Sequence, residues 1–102
     1  MRESFIEAHL VKRAKQLGGE ARKVQWLGRR GAPDRLVMLP ARTDADGGRI
    51  EGYEMPKTIW VELKAPGEKA KPHQAREHAR MQALGQHVVV IDSIAGVEEL
   101  LA

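Results

Sequence analysis

The sequence predicts an α/β fold in which one sheet has helices packed against it, and three observations predict it. Apolar residues recur every three to four positions in the first segment, which is the period of an amphipathic helix. Other segments alternate apolar with polar residues or contain unbroken β-branched runs, as strands do. Glycine and proline cluster between these segments, where turns are needed. The predicted order is α-β-β-β-α-β-α.

The first predicted element is a helix over residues 4–17, with apolar positions Ile6, Leu10, Ala14 and Leu17. Ser4 and Glu7 have the spacing of a capping box, and Gly18-Gly19 should end the helix. Glu7 also borders the face expected to be buried, where a carboxylate needs a partner such as a metal ion or a basic cluster. Glu7 either caps the helix or belongs to a functional site. Glu3, one turn earlier, is the alternative candidate for that site.

Two strands follow, separated by a loop. Residues 21–27 read as a short strand that contains Val24, Trp26 and Leu27, and residues 28–33 read as a loop because of their glycines and proline. Residues 35–39 are almost continuously apolar, which indicates a central strand covered on both faces. Asp34 stands at its start behind the rigid Pro33 and should be reachable from solvent. A plain turn aspartate is the alternative.

Residues 40–57 are rich in glycine and acidic side chains and form either a long loop or a hairpin arm. Asp46-Gly47-Gly48 is a strong turn signal for the tip of a hairpin. A loop of this length without regular structure is unusual in so small a domain, which favours the arm. Ile50, Tyr53 and Met55 are then expected to pack on a neighbouring segment or on a partner chain.

Residues 58–64 form the clearest strand. Ile59, Val61 and Leu63 point to one side, whereas Trp60, Glu62 and Lys64 point to the other. On this geometry Glu62 and Lys64 lie about 6.6 Å apart along one face. Trp60 shares that face, where it either stacks on a nucleobase or packs beneath a helix.

The remaining elements are a helix, a strand and a short helix. The helix covers residues 73–84, with Ala75, Ala79 and Leu84 among its apolar positions and Gly85 at its end. Residues 88–91 are an unbroken β-branched run, which predicts a buried strand. Residues 93–101 close the chain as a helix with Ser93 as its N-cap.

Length and composition set limits on the class of protein. One domain over residues 1–102 has room for a modest core, so a dimer remains open. The absence of cysteine excludes disulfides and thiolate zinc sites. No apolar run could span a bilayer and no secretory signal is present, so we expect a cytoplasmic protein without a membrane partner. The net charge of +3 permits a polyanionic partner without requiring one.

Asp34, Glu62 and Lys64 are the residues that suggest chemistry. Two carboxylates on neighbouring strands can hold Mg²⁺, which polarises a phosphate and lowers the pKa of a bound water. An amine beside them can position that water and offset charge on the phosphate. Spacing alone is a weak signal, because roughly one acid-x-Lys triplet is expected by chance in such a chain. Alternatively, Glu62 and Lys64 are simply the polar side of a half-exposed strand.

The motifs taken in order along the chain are far more specific. They are Glu7-x-x-Leu10-Val11, Gly31-Ala32-Pro33-Asp34-Arg35, Glu62-Leu63-Lys64, Gln74 and Gly85. Together they resemble the VRR-NUC domain, the virus-type replication and repair branch of the PD-(D/E)xK nuclease superfamily. The resemblance runs almost end to end and implies a restriction-endonuclease-like αβββαβ core with a short C-terminal helix. The arm at 40–57 departs from a compact version of the pattern.

The resemblance also implies roles for individual residues. Asp34 and Glu62 match the metal ligands, and Lys64 matches the catalytic lysine. Glu7 matches the first-helix acid, as a further ligand. Gln74 matches a glutamine that hydrogen-bonds the site carboxylates or a water. The backbone carbonyl of Leu63 is expected to add a ligand, the ion is expected to be Mg²⁺ or Mn²⁺, and no small-molecule cofactor is expected.

The activity implied is that of a metal-dependent endodeoxyribonuclease from a stand-alone phage or prophage type of the family. Its substrate would be branched DNA such as four-way junctions, cut by a homodimer in the host cytoplasm. The candidates for contacts with backbone phosphates are Arg29, Arg30, Arg35, Lys69 and Lys71. A DNA-binding scaffold without turnover, and a nuclease for other DNA or RNA structures, remain as alternatives. The four histidines show no metal-like spacing.

Overall fold

Seven elements follow one another in the computed structural model, which describes residues 1–102, in the predicted order α-β-β-β-α-β-α. The helices are α1 (Glu3–Gln16), α2 (Pro72–Ala83) and α3 (Ile94–Leu100). The strands are β1 (Glu20–Lys23), β2 (Arg35–Leu39), β3 (Lys57–Leu63) and β4 (Val88–Ile91). None of the three helices is long and apolar enough to cross a membrane.

The four strands form one mixed sheet in the order β1-β2-β3-β4. The pairs β1–β2 and β2–β3 are antiparallel, whereas β3 and β4 are parallel and are connected through α2. Strand β4 therefore lies at an edge, and Val90 is 42% exposed, so the prediction of a fully buried strand is wrong. The reason is positional, since no strand lies beyond β4 to cover it.

Helices α1 and α3 cover one face of the sheet, and that interface is the hydrophobic core. Burial alternates along β2, where Leu36 and Met38 are only half-buried. The strand is central, as predicted, but one of its two faces is covered only in part. The core consists of Ile6, Leu10, Ala14, Val37, Leu39, Ile59, Val61, Leu63, Ile91, Val97 and Leu101.

Helix α2 lies against the opposite face, and its buried side differs from the predicted one. Leu84 is 78% exposed, and Ala75 and Ala79 are exposed as well. The helix instead buries Glu77, His78 and Met81. This face of the sheet presents Glu62 and Lys64, so the helix that covers it contributes polar side chains. A pattern that assigns polar residues to solvent could not find this interface.

The ends of the helices follow local capping rules with one exception. The Ser93 hydroxyl accepts a hydrogen bond of 2.9 Å from the N–H of Gly96, which confirms the predicted N-cap of α3. Gly18, at φ +82°, follows α1 as expected for a left-handed residue past a helix end. The predicted capping box of α1 is wrong, because the N-cap is Arg2 and Ser4 lies inside the helix.

Strand β1 ends earlier than its sequence predicts. Beyond Lys23, Val24 adds one ladder bond of 2.9 Å from its N–H to the carbonyl of Asp34. Trp26 and Leu27 then belong to a loop. The Trp26 indole Nε1–H donates to the carbonyl of Pro33 at 2.8 Å, which turns the tryptophan back against the chain that enters β2.

Residues 40–57 form a short hairpin-like arm whose only ladder contact is a bridge between Thr43 and Arg49. Its base folds onto the same chain. The Tyr53 ring lies 4.5 Å from the guanidinium carbon of Arg42, and its hydroxyl donates to the carbonyl of Ala102 at 2.8 Å. Met55, in contrast, is 72% exposed.

Candidate active site

Asp34 and Glu62 lie side by side at the start of β2. The register of β2 and β3 pairs Arg35 with Val61, and one further step in that antiparallel register sets Asp34 opposite Glu62. The ladder bond from Val24 shows that strand-like pairing already includes Asp34. Residues opposite each other in such a pair have Cβ atoms about 4.5–5.5 Å apart. The carboxylates therefore share one face of the sheet, the face covered by α2.

The Glu62 carboxyl is buried, with 9% of the residue exposed. Burial raises its pKa to about 7, and the nearby Asp34 charge adds to the rise. Lys64 lowers the pKa, Glu3 raises it further and Arg35 lowers it. Two acids held this close together favour the binding of a cation, because a positive charge between them would offset their repulsion.

Lys64 lies on the same face as Glu62, just past the end of β3, and only 9% of it is exposed. None of the ion pairs in the structure includes its amine. The ammonium group is therefore held near the carboxylates without being fixed to either of them. It remains available for a water molecule or a phosphate oxygen.

Arg35 connects Glu7 to the site. Its side chain is 8% exposed and its Nη2 forms an ion pair with Glu7 Oε2. Its Nη1 lies 3.2 Å from Asp34 Oδ2. Glu7 thus has a partner that explains its position without any capping role. Arg35 was predicted to contact phosphate; in the structure its guanidinium is buried against two carboxylates.

The Arg35 ion pairs should contribute measurably to stability. We expect Arg35→Met to lower the free energy of unfolding by about 2 kcal/mol, because both carboxylates would lose their partner. The estimate is reduced for their partial exposure, 38% for Glu7 and 49% for Asp34. Urea unfolding in EDTA measures the change. Arg22→Met, which removes an exposed pair with Glu20, is the matched control, and an equally small loss for both variants would contradict the role of Arg35.

His78 of α2 faces Glu62 across the interface. Its Nε2 lies 3.8 Å from Glu62 Oε1 and is buried without a hydrogen-bond partner. Burial lowers the pKa of His78, while a hydrogen bond with the Gly31 backbone and the charge of Glu77 oppose that shift and Lys64 adds to it. The spacing of the histidines along the sequence did not indicate a site for His78. Its spacing of four from Gln74, which puts both on one face of α2, was the available signal.

Gly31 allows the loop before Asp34 to approach α2 closely. Its φ is +87°, and a Cβ at this position would lie 2.9 Å from the carbonyl oxygen of His73 and 3.1 Å from the Cα of Gln74. Only glycine fits both the backbone angle and the contact. The Gly-Ala-Pro-Asp segment is thereby held between α2 and the sheet, which fixes the position of Asp34.

Gln74 caps the start of α2. Its Oε1 accepts a hydrogen bond of 2.9 Å from the N–H of Lys71. The structure shows no hydrogen bond from its side chain to Asp34 or Glu62. A glutamine at the third helical position can satisfy a free backbone N–H, which is a sufficient reason for its placement.

A group of cations surrounds the first turn of α2. Partial desolvation lowers the pKa of His73, and the charges of Arg30, Lys71, Arg76 and Lys64 lower it further. Arg29 is half-exposed and its Nε lies 3.3 Å from Glu77 Oε2. Lys69 is exposed on the loop that leads to the helix. Arg76 was not among the predicted phosphate contacts, and it lies one helical turn from His73.

The donors at this site fit a hard divalent cation that keeps part of its water. No three acidic or histidine side chains converge on one point. Asp34 and Glu62 supply carboxylates, and Mg²⁺ commonly uses only one or two of these in proteins. The N–H groups of Trp60 and Lys64 bond to β4, so the Leu63 carbonyl points the other way, past the start of β2. Glu7 is held by Arg35.

The raised pKa of Glu62 predicts a pH-dependent stability in the metal-free protein. The folded pKa of about 7 exceeds the ordinary glutamate value of 4.5, so the folded state holds this proton more tightly. Stability is then fully present below pH 4.5 and is lost as the pH rises through 7, by on the order of 3 kcal/mol. Unfolding in EDTA from pH 5 to 8 measures the loss.

Glu62→Gln is the matched variant for this measurement, because it removes the titrating group and nearly preserves its shape. His78 acts in the opposite direction, since its lowered pKa costs stability as the pH falls. The difference between wild type and variant cancels the contribution of His78. A difference that does not change between pH 5 and 8 would contradict the burial of an ionisable Glu62.

Comparison with known proteins supports a nuclease. The chain is 50% identical over 93 residues to "Putative nuclease p44" of Acyrthosiphon pisum secondary endosymbiont phage 1, which covers 91% of this chain and 85% of that protein. A solved structure described as "VRR_NUC domain" has a TM-score of 0.75 and 35% identity, covering 97% of this chain and 92% of that one. Comparison with models of protein families gave no match.

Both similarities extend over nearly the whole chain. They confirm the restriction-endonuclease-like core that the motifs implied. The chain therefore belongs to the VRR-NUC family and is a nuclease.

Proposed function

We propose that this protein is a metal-dependent endodeoxyribonuclease that hydrolyses phosphodiester bonds in branched DNA such as four-way junctions. The observation that carries the proposal is the placement of Asp34 opposite Glu62, with Lys64 on the same face and free of ion pairs. Metal-assisted phosphodiester hydrolysis needs acids that hold the ion, an amine beside them and a basic surface for the phosphates, all close together.

Asp34, Glu62 and the Leu63 carbonyl would hold Mg²⁺ or Mn²⁺. When bound, the ion supplies positive charge that polarises the scissile phosphate and lowers the pKa of a coordinated water. Burial of Glu62 strengthens this interaction, because charges attract more strongly where water is excluded. The first-helix acid Glu7 acts through Arg35, which keeps Asp34 oriented toward Glu62.

Lys64 works on the reacting groups. Its ammonium donates hydrogen bonds to the attacking water and to a non-bridging phosphate oxygen, where negative charge increases in the transition state. Because Lys64 is nearly buried, little reorganisation is needed at the moment of reaction. Arg35 is a positioning residue in this scheme, since it contacts the carboxylates rather than the substrate.

The exposed cations beside the site bind the phosphate backbone. They are Arg29, Arg30, Lys69, Lys71 and Arg76. Contacts of this kind give affinity without reading base sequence. Each phosphate that a cation neutralises adds about −0.9 to the slope of the logarithm of the binding constant against the logarithm of the salt concentration. We therefore expect selectivity for DNA structure rather than for DNA sequence.

A homodimer follows from the geometry of the reaction on a branched substrate. One site cuts one strand, so paired incisions across a junction require two sites related by symmetry. Light scattering at the assay concentration tests this part. A monomer mass under conditions that support paired incisions would contradict it.

Cleavage assays on matched substrates test the function. Four-way junction, flap, linear duplex, single strand and RNA of the same sequence are incubated with Mg²⁺, Mn²⁺ or EDTA. We expect cleavage of the junction with either metal and none in EDTA. Cleavage that survives EDTA would contradict the metal mechanism, and equal rates on linear duplex would contradict structure selectivity. Salt-dependent binding without any product would indicate a DNA-binding scaffold.

A further inference from the structure

Beside Asp34 lies an open depression that the proposed chemistry does not use. Its volume is about 600 Å³, and its wall includes Lys23, Trp26, Arg29 and Asp34. This volume is within the range of sites that bind small organic groups. We call it the Trp26 depression. Because Asp34 belongs to its wall, anything bound there is adjacent to the reacting phosphate.

Trp26 is held rigidly at the edge of the site. Its Nε1–H donates to the Pro33 carbonyl at 2.8 Å, so the indole is anchored to the segment that carries Asp34. The ring also contacts Trp60, with centroids 5.1 Å apart and planes inclined at 48°. Trp26 remains half-exposed and borders the depression. An aromatic ring fixed in this way loses little entropy when a ligand stacks on it.

The charges around the depression match a nucleotide. Lys23 is exposed on one side, and Arg29 has a side-chain exposure of 47%. An aromatic surface with flanking cations is the arrangement by which proteins hold single-stranded nucleic acid, because the ring stacks on a base and the cations bind phosphates. The acid Asp34, a proposed metal ligand, also belongs to the wall of the depression.

Leu27, the residue after Trp26, adds an exposed apolar side chain beside the Trp26 depression. It is 90% exposed and precedes Gly28, whose φ is +73°. Exposed apolar side chains of DNA-binding proteins can insert beside a base step and unstack it. Leu27 is an exposed apolar side chain of this kind.

We propose that the Trp26 depression is a subsite for an unpaired nucleotide next to the scissile phosphate, with its base on Trp26 and its phosphate on Arg29 and Lys23. The proposal rests on the proposed function. Bases inside a duplex are already stacked, and removing one costs a few kcal/mol. The subsite therefore favours DNA in which a nucleotide is unpaired beforehand, which gives structure selectivity without base reading.

Equilibrium binding in EDTA tests the subsite without cleavage. The probes are a fluorescently labelled duplex with a three-nucleotide unpaired segment, the same segment without bases, and the fully paired duplex. Wild type is expected to prefer the unpaired segment with bases over both other probes by about 10-fold, since one stacked base contributes about 1–3 kcal/mol. Equal affinity for the segments with and without bases would overturn the proposal.

Substitutions of Trp26 and Leu27 test which side chains cause the preference for unpaired bases. Trp26→Ala should lose the preference for unpaired bases while keeping affinity for paired duplex, and Trp26→Phe should lose less. Leu27→Ala should weaken binding to the unpaired probe, whereas the control Leu84→Ala, at another exposed leucine, should not. If Trp26→Ala lowers affinity for all three probes equally, the subsite is wrong. Should Trp26→Ala fail to fold, the base-free probe with wild type and Trp26→Phe still decide.

The subsite and the proposed function can fail separately. A base-dependent preference in EDTA without metal-dependent cleavage would support the Trp26 depression and contradict the nuclease mechanism. Metal-dependent cleavage without any preference for unpaired bases would support the nuclease mechanism and contradict the subsite. The two assays share the protein but measure different steps.

Discussion

Asp34→Asn is expected to lower the rate of metal-dependent cleavage by at least about 10³-fold, which corresponds to the several kcal/mol that a bound metal supplies. The substitution keeps the size of the side chain and removes the charge that faces Glu62 and Arg35. Without this charge Glu62 is the one carboxylate left to the ion, so Mg²⁺ binding should weaken. Single-turnover cleavage of a junction at saturating protein measures the effect.

Titration calorimetry with Mn²⁺ shows whether Asp34→Asn acts through the metal. The variant should bind Mn²⁺ weakly or not at all while retaining affinity for DNA in EDTA. Asp46→Asn, in the exposed turn of the arm, is the matched control and should leave both measurements unchanged. Cleavage by Asp34→Asn within about 10-fold of wild type would contradict the assignment, since even a single positioned catalytic group is worth about 10² or more.

Lys64→Met is expected to lower the cleavage rate by about 10²–10⁴-fold with little loss of Mn²⁺ affinity. Methionine suits the buried position of Lys64, so the fold should survive. The amine is no ligand in this scheme; it acts on the water and the phosphate. Lys64→Met should therefore lose cleavage rate while keeping Mn²⁺ binding, whereas Asp34→Asn should lose both.

Lys12→Met, on the exposed side of α1, controls for the loss of one positive charge. Its cleavage rate should stay within a few-fold of wild type at moderate salt, because one distant charge is well screened. Full activity of Lys64→Met would show that Lys64 is only a buried structural cation. A parallel loss of Mn²⁺ binding would place Lys64 in support of the metal site instead of on the reacting groups.

Much of the fold could be predicted from local patterns. The alternation along β3 placed Glu62 and Lys64 together on one face, and the structure pairs that strand with β2 so that Asp34 meets Glu62. These predictions succeed because side-chain direction in a strand has a fixed period and because consecutive strands commonly pair.

Contacts between distant residues were beyond such patterns. Arg35 was expected to contact phosphate, yet it lies between Glu7 and Asp34, and no local rule indicates a partner 28 positions away in sequence. His78 was overlooked for a related reason. A sequence pattern reads polar residues of a helix as exposed, whereas α2 buries His78 against the charged face of the sheet.

The Trp26 depression shows a third limit. Its tryptophan was predicted to belong to a strand, where alternation would have decided which face it occupies. The strand ends at Lys23, and the hydrogen bond to the Pro33 carbonyl instead determines where the indole lies. A side-chain contact with the backbone thus brings an aromatic residue next to the segment that carries Asp34.

Asp34 and Glu62 are proposed to hold one divalent cation between them. Diffraction from crystals grown with Mn²⁺ near pH 8, where Glu62 with its pKa of about 7 is ionised, tests this proposal most directly. We expect an anomalous peak that contacts both carboxylates and the Leu63 carbonyl, and no such peak in Asp34→Asn crystals. Crystals that bind Mn²⁺ elsewhere while this position remains empty would contradict the account.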